Sequence, residues 1–365
     1  MPMDPDAVAA DTGRSVDTEA GDGLPSVSAV LVSYHSRADL ERCLPALRAQ
    51  DGVRLRVVVV DNAPGDGTAD WLRQAWPEVQ VVTAPCNGGY AGGNNLGARQ
   101  ARGEYLFFLN PDTEPAPGAL REMLRVAAAH PGALVTPKLL LPDGRINACG
   151  TQMHYAGVTT CVGLGEPAAA YRGVLPALLV SGAAFLIRRA DWEALGGFAE
   201  GYFMYLEDVD LSLRARLLGH AVLCAADAVV WHHYRLAMRP DKFYLLERNR
   251  LLTLLRIYER RTLWRLAPGL ALGGLATWAY ALLRGPAYLA ARARASAWVW
   301  WHQAEWRAAR RRIQRARRVP DGELLGRMRV GLPYEQLVPS PRLARWLERA
   351  TTPLFRVGHP GRGAA

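Results

Sequence analysis

No C-x-x-C pair occurs in this 365-residue sequence; its five cysteines, Cys43, Cys86, Cys149, Cys161 and Cys224, are scattered and odd in number. The chain therefore encodes neither a zinc ribbon nor a dithiol redox centre, and its thiols are expected to be reduced, as in the cytosol. No positively charged and then apolar leader opens it. Its first residues are acidic instead, so export of the catalytic part is not expected. The first strand is not followed by G-x-G-x-x-G: Tyr34-His35-Ser36 stands there, which counts against a nicotinamide or flavin oxidoreductase. No internal repeat is present.

What is present is core-forming material. Hydrophobic residues make up 50% of the chain, enough for one large domain or two smaller ones. The net charge of +10 is uneven, with Asp4, Asp6, Asp11, Asp17, Glu19 and Asp22 against Arg14 in residues 1–26 and the basic excess near the C-terminus. Residues 1–26 have no apolar period and are expected to form a disordered tail. The basic end points to a charged surface made for a partner.

Alternating strand and helix signals follow. Residues 27–33 predict a strand, 39–50 a helix, 55–62 a β-branched second strand, 68–76 a helix and 79–83 a third strand. The Gly- and Asn-rich stretch 87–97 reads as a loop whose backbone passes close to a ligand and whose end opens a helix to Arg102. Residues 105–109 are wholly apolar, as in a strand buried on both faces. Asn110-Pro111 stops that strand, because proline offers no N–H and holds its predecessor extended. A helix over 117–130 and a strand over 133–140 extend a doubly wound, mixed α/β sheet. Residues 145–175 lose periodicity and are expected as a long loop, after which 180–187 returns to strand. An amphipathic helix over 207–218 carries Glu207, Asp208 and Asp210 in its first turn. Short strands at 222–224 and 229–231 end in His232-His233, and a helix is expected over 242–259.

The polar strand ends each have two readings. Asp61 and Asp112 either cap turns or hold a ligand or cation, since ligands of open α/β sheets bind outside the carboxyl ends of the strands. The acids of 207–210 suit a helix N-terminus through the macrodipole alone. His232 and His233 are core residues or ligands. The combination says more, because strand-end acids, a Gly/Asn stretch and a further acid pair converge on one edge of one sheet.

In order stand Val32-Ser33-Tyr34, Val60-Asp61-Asn62, Asn87-x-Gly89-Tyr90-Ala91-Gly92-Gly93-Asn94-Asn95-x-Gly97, Leu109-Asn110-Pro111-Asp112, Ser181-Gly182-Ala183, Gly197-Phe198, Tyr205-Leu206-Glu207-Asp208-Val209-Asp210 and Glu247-Arg248-Asn249-Arg250. With this ordered set the stretch 27–258 resembles the inverting family 2 glycosyltransferases of the GT-A fold, in particular the rhamnosyltransferase-like branch that builds bacterial surface polysaccharides. The resemblance implies that Asp61 receives the nucleotide base and that Ser33, Tyr34, Asn87, Gly89 and Asn95 line the nucleotide cleft. It implies that Asp112 binds a divalent metal, Mg2+ or Mn2+, on the donor diphosphate, with His232 completing the coordination. Asp208 would be the general base, with Glu207 beside it in the catalytic pair. These roles suit the chemistry: the leaving diphosphate gathers negative charge that a cation offsets, and a sugar hydroxyl needs a carboxylate to accept its proton. Three positions depart from the pattern. Asn110 replaces the first acid of D-x-D, His35 stands where asparagine is usual, and the small, serine-containing segment after His232 is missing, which leaves His233 as a substitute ligand.

Beyond residue 260 the composition changes. Residues 266–283 form an uncharged 18-residue stretch between Arg265 and Arg284 that contains Pro268, Gly269, Gly273 and Gly274, at the short end of what spans a bilayer. Residues 288–318 mix Trp298, Trp300, Trp301 and Trp306 with arginines, the composition of an interfacial helix on anionic lipid. The expected organisation is a tail over 1–26, a GT-A domain over 27–260, a helical membrane-associating region over 261–330 and a loosely structured 331–365. The expected activity is inverting transfer of a sugar, L-rhamnose from dTDP-rhamnose foremost, to a lipid-linked glycan acceptor at the cytoplasmic face of the membrane. UDP-galactofuranose or UDP-N-acetylglucosamine would fit the same site, and a non-catalytic sugar-nucleotide-binding protein is the other alternative. Nucleic acid is not an expected partner. A single apolar segment and no Gln-x-x-Arg-Trp argue against a processive synthase.

Overall fold

A computed structural model describes residues 23–234, 237–332, 334–336 and 340–359; the tail expected over 1–26 lies almost wholly outside these. Runs of β-branched residues set the frame. The strands β1 (Ser26–Ser33), β2 (Arg54–Asp61) and β3 (Gln80–Thr83) pair in parallel, with α1 (Arg37–Arg48) and α2 (Thr68–Ala75) as crossovers. After α3 (Gly89–Gln100) the chain returns as β4 (Tyr105–Leu109), parallel to β1 on its other side. Leu106 to Leu109 are fully buried, as the unbroken apolar run requires.

Helix α3 begins where a loop was expected. Its glycines serve helix-to-sheet packing: a Cβ on Gly93 would fall 2.7 Å from Val32 and one on Gly97 2.5 Å from Val30. Glycine is a poor helix former in isolation, so the propensity signal pointed to a loop, and tertiary packing overrides it here.

The short strand β5 (Thr113–Pro115) and helix α4 (Ala119–Ala129) lead to β6 (Leu134–Leu140). The stretch 145–175 is not a plain loop. It holds β7 (Ile146–Cys149), antiparallel to β6, the hairpin of β8 (Thr151–Met153) and β9 (Thr159–Cys161), and β10 (Val174–Pro176). Strands of three or four residues are too short for alternation to show in sequence. Next come β11 (Ala184–Arg188), α5 (Arg189–Leu195), α6 (Glu207–Leu217) and β12 (Val222–His232). The two short strands expected near 222–231 are one strand with an irregularity between Ala225 and Val229. The resulting sheet runs β10-β12-β6-β11-β4-β1-β2-β3, with β11 antiparallel between β4 and β6.

Among the described residues six further helices follow: α7 (Pro240–Ile257), α8 (Arg260–Arg284), α9 (Pro286–Trp301), α10 (Gln303–Ala316), α11 (Asp321–Arg327) and α12 (Pro341–Phe355). They share one core with the sheet domain, in which Met153, Tyr155 and Leu206 meet Leu266, Val299, Leu324 and Phe355. The described part of 331–365 is docked rather than loose. Phe355 is buried, and its carbonyl accepts the Tyr155 hydroxyl at 2.7 Å.

Candidate active site

At the carboxyl ends of β1 and β2, Ser33 and Asp61 stand opposite each other in register, both buried. The Ser33 hydroxyl has no hydrogen-bond partner among the described residues, and Asp61 accepts the Ala63 N–H at 3.1 Å. Burial pushes the Asp61 carboxyl above its ordinary range, and the Ala63 amide offsets only part of that. Such groups at strand ends call for a polar ligand. Asn62 joins this edge to α3: its amide donates to Asn87 at 2.9 Å and to the Gly89 carbonyl at 3.1 Å, and its oxygen accepts the Gly88 N–H. Asn87 also accepts the Gly89 N–H, so it shapes the start of α3. Gly89 has φ +67°, and a Cβ there would lie 2.3 Å from the Phe203 carbonyl oxygen. Tyr34 is half-exposed at the rim, beside His35, whose Nδ1 is 3.2 Å from Asp66. Asn95 does something else. Its side chain is bonded in both directions to the Phe198 backbone, each at 2.9 Å, which makes it a brace.

The second part of the site lies where β4 ends. The Asn110 N–H donates to Ala183, and pairing of β5 with β12 sets Thr113 opposite His232. His232 is buried and its Nδ1 lies 2.9 Å from the Asn147 side-chain oxygen, an acceptor that holds the proton on Nδ1. Its Nε2 is left buried without a hydrogen-bond partner among the described residues, 3.5 Å from Asp112 Oδ1. Burial would raise the Asp112 carboxyl, but the adjoining His232 imidazole, with help from its own backbone and His233, holds it below the ordinary range. A bare nitrogen lone pair facing a carboxylate suits a cation between them. His233 is turned to Glu114, 2.7 Å away, so of the two histidines His232 faces Asp112. Tyr234 stacks on His232 where small residues are usual in the branch. No group of three His, Cys, Asp or Glu able to hold a metal occurs among the described residues. A cation here would have two protein donors and take the rest from its ligand. Asn147 carries no signal in the sequence, since only the β6–β7 turn brings it to His232.

The third part is the start of α6. Phe203, Tyr205 and Leu206 all have φ between 62° and 70°, a region costly for side chains of this size. Asn249, fully buried in α7, secures that turn by donating to the carbonyls of Tyr202, Met204 and Tyr205 at 3.0, 2.9 and 2.6 Å. The three acids that follow have three different surroundings. Asp208 accepts the Gly182 and Val209 N–H groups, both at 2.8 Å, yet desolvation still raises it above the ordinary range. Glu207 is buried with one oxygen unpartnered, and burial, then the Asp208 charge, push it well up. Of this pair, Glu207 is therefore pushed further toward its protonated form than Asp208. Asp210 has no exposed surface; despite burial, Arg256 at 3.3 Å and Arg214 at 2.8 Å hold it low. Because Gly182 binds Asp208 and Ala183 binds Asn110, one short turn joins the Asp112 edge to the Asp208 edge. Tyr90 of α3 closes the same turn with a hydroxyl bond to Gly182 at 2.5 Å.

Residues 28–196 match the model of the family "Glycosyl transferase family 2". Those residues carry the domain that this family model describes. This nucleotide-sugar glycosyltransferase is 29% identical over 272 residues to the N-acetylglucosaminyl-diphospho-decaprenol L-rhamnosyltransferase of Mycobacterium tuberculosis, covering 68% of this chain and 88% of that one. It is 31% identical over 236 residues to the O-antigen biosynthesis protein RfbC of Myxococcus xanthus, 60% of this chain but 18% of the relative. In fold the transferase is similar to S. aureus TarS in complex with UDP-GlcNAc, with a TM-score of 0.52 at 16% identity over 92% of this chain and 90% of that one. It is similar also to GalNAc-T7 with UDP, GalNAc and Mn2+, with a TM-score of 0.54 at 16% identity over 64% and 49%. Both are likenesses of fold.

Proposed function

We propose that the transferase moves L-rhamnose from dTDP-rhamnose onto a lipid-linked, diphosphate-bearing glycan acceptor at the cytoplasmic face of the membrane. The observation that carries this reading is Asp208, an ionisable carboxylate seated on the Gly182 amide, next to the turn that also holds the Asp112 edge. The name of the mycobacterial relative supports the choice of donor and acceptor class.

Ser33, Asp61 and Tyr34 would receive the nucleotide, with Asn87 and Gly89 shaping the cleft wall. Asp112 and His232 would hold a divalent ion, Mg2+ or Mn2+, whose charge offsets that of the leaving diphosphate. Asp208 takes the proton of the acceptor hydroxyl as that oxygen attacks the anomeric carbon from the face opposite the leaving group, so configuration inverts. The raised affinity of Asp208 for a proton makes it a better base than an exposed aspartate. Glu207, pushed toward its protonated form by burial and by Asp208, would add less negative charge that could hinder the diphosphate.

The test offers dTDP-rhamnose, UDP-galactofuranose and UDP-N-acetylglucosamine with a polyprenyl-diphosphate-linked acceptor and either metal. Rhamnose transfer is expected, falling about 10²–10⁴-fold in Asp208→Asn while donor binding persists. Turnover of a UDP-sugar with dTDP-rhamnose untouched would sink the donor assignment, and near-wild-type transfer by Asp208→Asn would sink the base.

A further inference from the structure

Helix α8 is long and apolar enough to cross a membrane, but its packing lays it along the protein. Leu266 has no exposed surface, a Cβ on Gly269 would fall 1.9 Å from the Tyr155 hydroxyl oxygen, and Gly273 abuts Ala156. These positions form one helical face. The opposite face is bare: Trp264 is 81% exposed, Leu275 66% and Leu282 66%, with Trp278 between them in the same stripe. Trp300 and Trp301 extend the exposed apolar surface at the end of α9. An uncovered strip of this kind marks an interaction surface.

A basic cleft adjoins the stripe. Arg260 lies one turn before Trp264, and with Arg261, Arg307, Arg310 and Arg311 it lines an open cleft of about 450 Å3 in which Glu259 is the one acid. Glu259 is shared with Arg261 at 3.8 Å and Arg317 at 3.5 Å. Arg260, Arg307 and Arg311 have no acidic partner among the described residues. The other end of α8 reaches the active-site side, where Tyr288, just past it, donates to the Met238 carbonyl at 2.7 Å, on the segment that follows the His232 strand.

We propose that this surface is a docking site for an anionic lipid bilayer, with α8 lying in the interface, its Trp and Leu stripe among the acyl chains and the arginine cleft around lipid phosphates. Charge complementarity selects this occupant. The cleft offers guanidinium groups fitted to phosphate oxygens, and the stripe beside it offers apolar area that a soluble polyanion would leave wet. At 25 residues, about 37 Å at 1.5 Å per residue, α8 carries the protein along the membrane from the cleft toward the side where a lipid-linked acceptor would enter. The inference rests on the membrane location proposed above and goes further, since a spanning α8 would meet that location equally well.

The test uses the full chain with vesicles of phosphatidylcholine alone and of phosphatidylcholine mixed with phosphatidylglycerol. Flotation with the mixed vesicles is expected, weakening as salt rises. Joint replacement Arg307→Gln and Arg311→Gln should reduce it roughly thirtyfold, about fivefold per arginine. Trp264→Ser with Leu282→Ser should weaken it at any salt. Donor binding in solution should be unchanged in both variants, which shows that they are folded. In cells, alkaline carbonate should release the protein from membranes. Equal binding to both vesicles, no loss in the arginine variant, or a tighter complex with duplex nucleic acid than with vesicles would overturn the docking site. Resistance to carbonate would overturn the in-plane placement while leaving the membrane location standing, whereas absence from membranes altogether would remove both.

Discussion

Asp208 and Asp210 are two residues apart and have opposite duties. Asp210 is wholly buried between Arg214 and Arg256, so Asp210→Asn leaves two guanidinium groups short of a counter-charge. A loss of about 3–5 kcal/mol is expected, read as a lower midpoint of denaturation. Its carboxyl is held low in the fold, so this stabilisation is complete above the unfolded-state pKa and disappears as pH falls through the folded-state value. Asp208 has the reverse shift. Because burial raises it and the base works only when ionised, the acid limb of kcat/KM should lie above the ordinary aspartate range; a limb at or below that range would argue against Asp208. The two histidines divide in the same way. His232→Ala should abolish the response of activity to Mg2+ or Mn2+, while His233→Ala, which frees only Glu114, should keep it.

At the scale of elements, the site depends on how α3, the 203–206 turn and α7 hold one another. Gly89 has no room for a side chain against the Phe203 backbone, and its φ of +67° is unfavourable to any other residue. Gly89→Ala should therefore cost at least about 1–2 kcal/mol from backbone conformation alone and weaken donor binding, measurable by thermal melt and titration. Asn249 touches no predicted ligand contact, yet it ties down the three carbonyls just before Asp208. Asn249→Leu removes those donors, leaves the Met204 and Tyr205 carbonyls of the strained turn without the Asn249 amide, and should lower kcat well beyond its effect on the KM for donor. An equal change in both would mean that the turn shapes binding rather than the base.

The molecule as a whole has no seam at residue 260. Leu266, Val299, Leu324 and Phe355 complete a core begun by Tyr155 and Leu206. A chain cut after residue 260 would expose that apolar surface and is expected to aggregate or melt lower, which limited proteolysis and thermal denaturation would show. The proposed membrane contact would thus be a property of a surface on one packed body. Point changes on that surface probe it without the loss of fold that deletion brings.

Much of this was legible in the primary structure. The apolar runs ending in Asp61 and Asn110 and the acids of 207–210 point to a mixed sheet with a polar site at its carboxyl edge, because burial and turn chemistry act over a few residues and leave local marks; that the site takes a sugar nucleotide is what the resemblance carried by the order of the motifs implies. Local marks could not say that 87–97 is helical, that Asn95 braces Phe198, that His232 rather than His233 faces Asp112, or that Asn147 and Asn249 matter at all. Nor could they say which face of α8 is covered. Each of these depends on a partner far along the chain: Val30 and Val32 under the α3 glycines, Asn147 behind His232, Tyr155 under Gly269. Sequence by itself determined which residue types were available and in what order. Only the tertiary structure decided which of them are spent on one another and which are left free for a ligand, because a polar atom is free for chemistry only where the fold leaves it a lone pair or proton that no other partner takes.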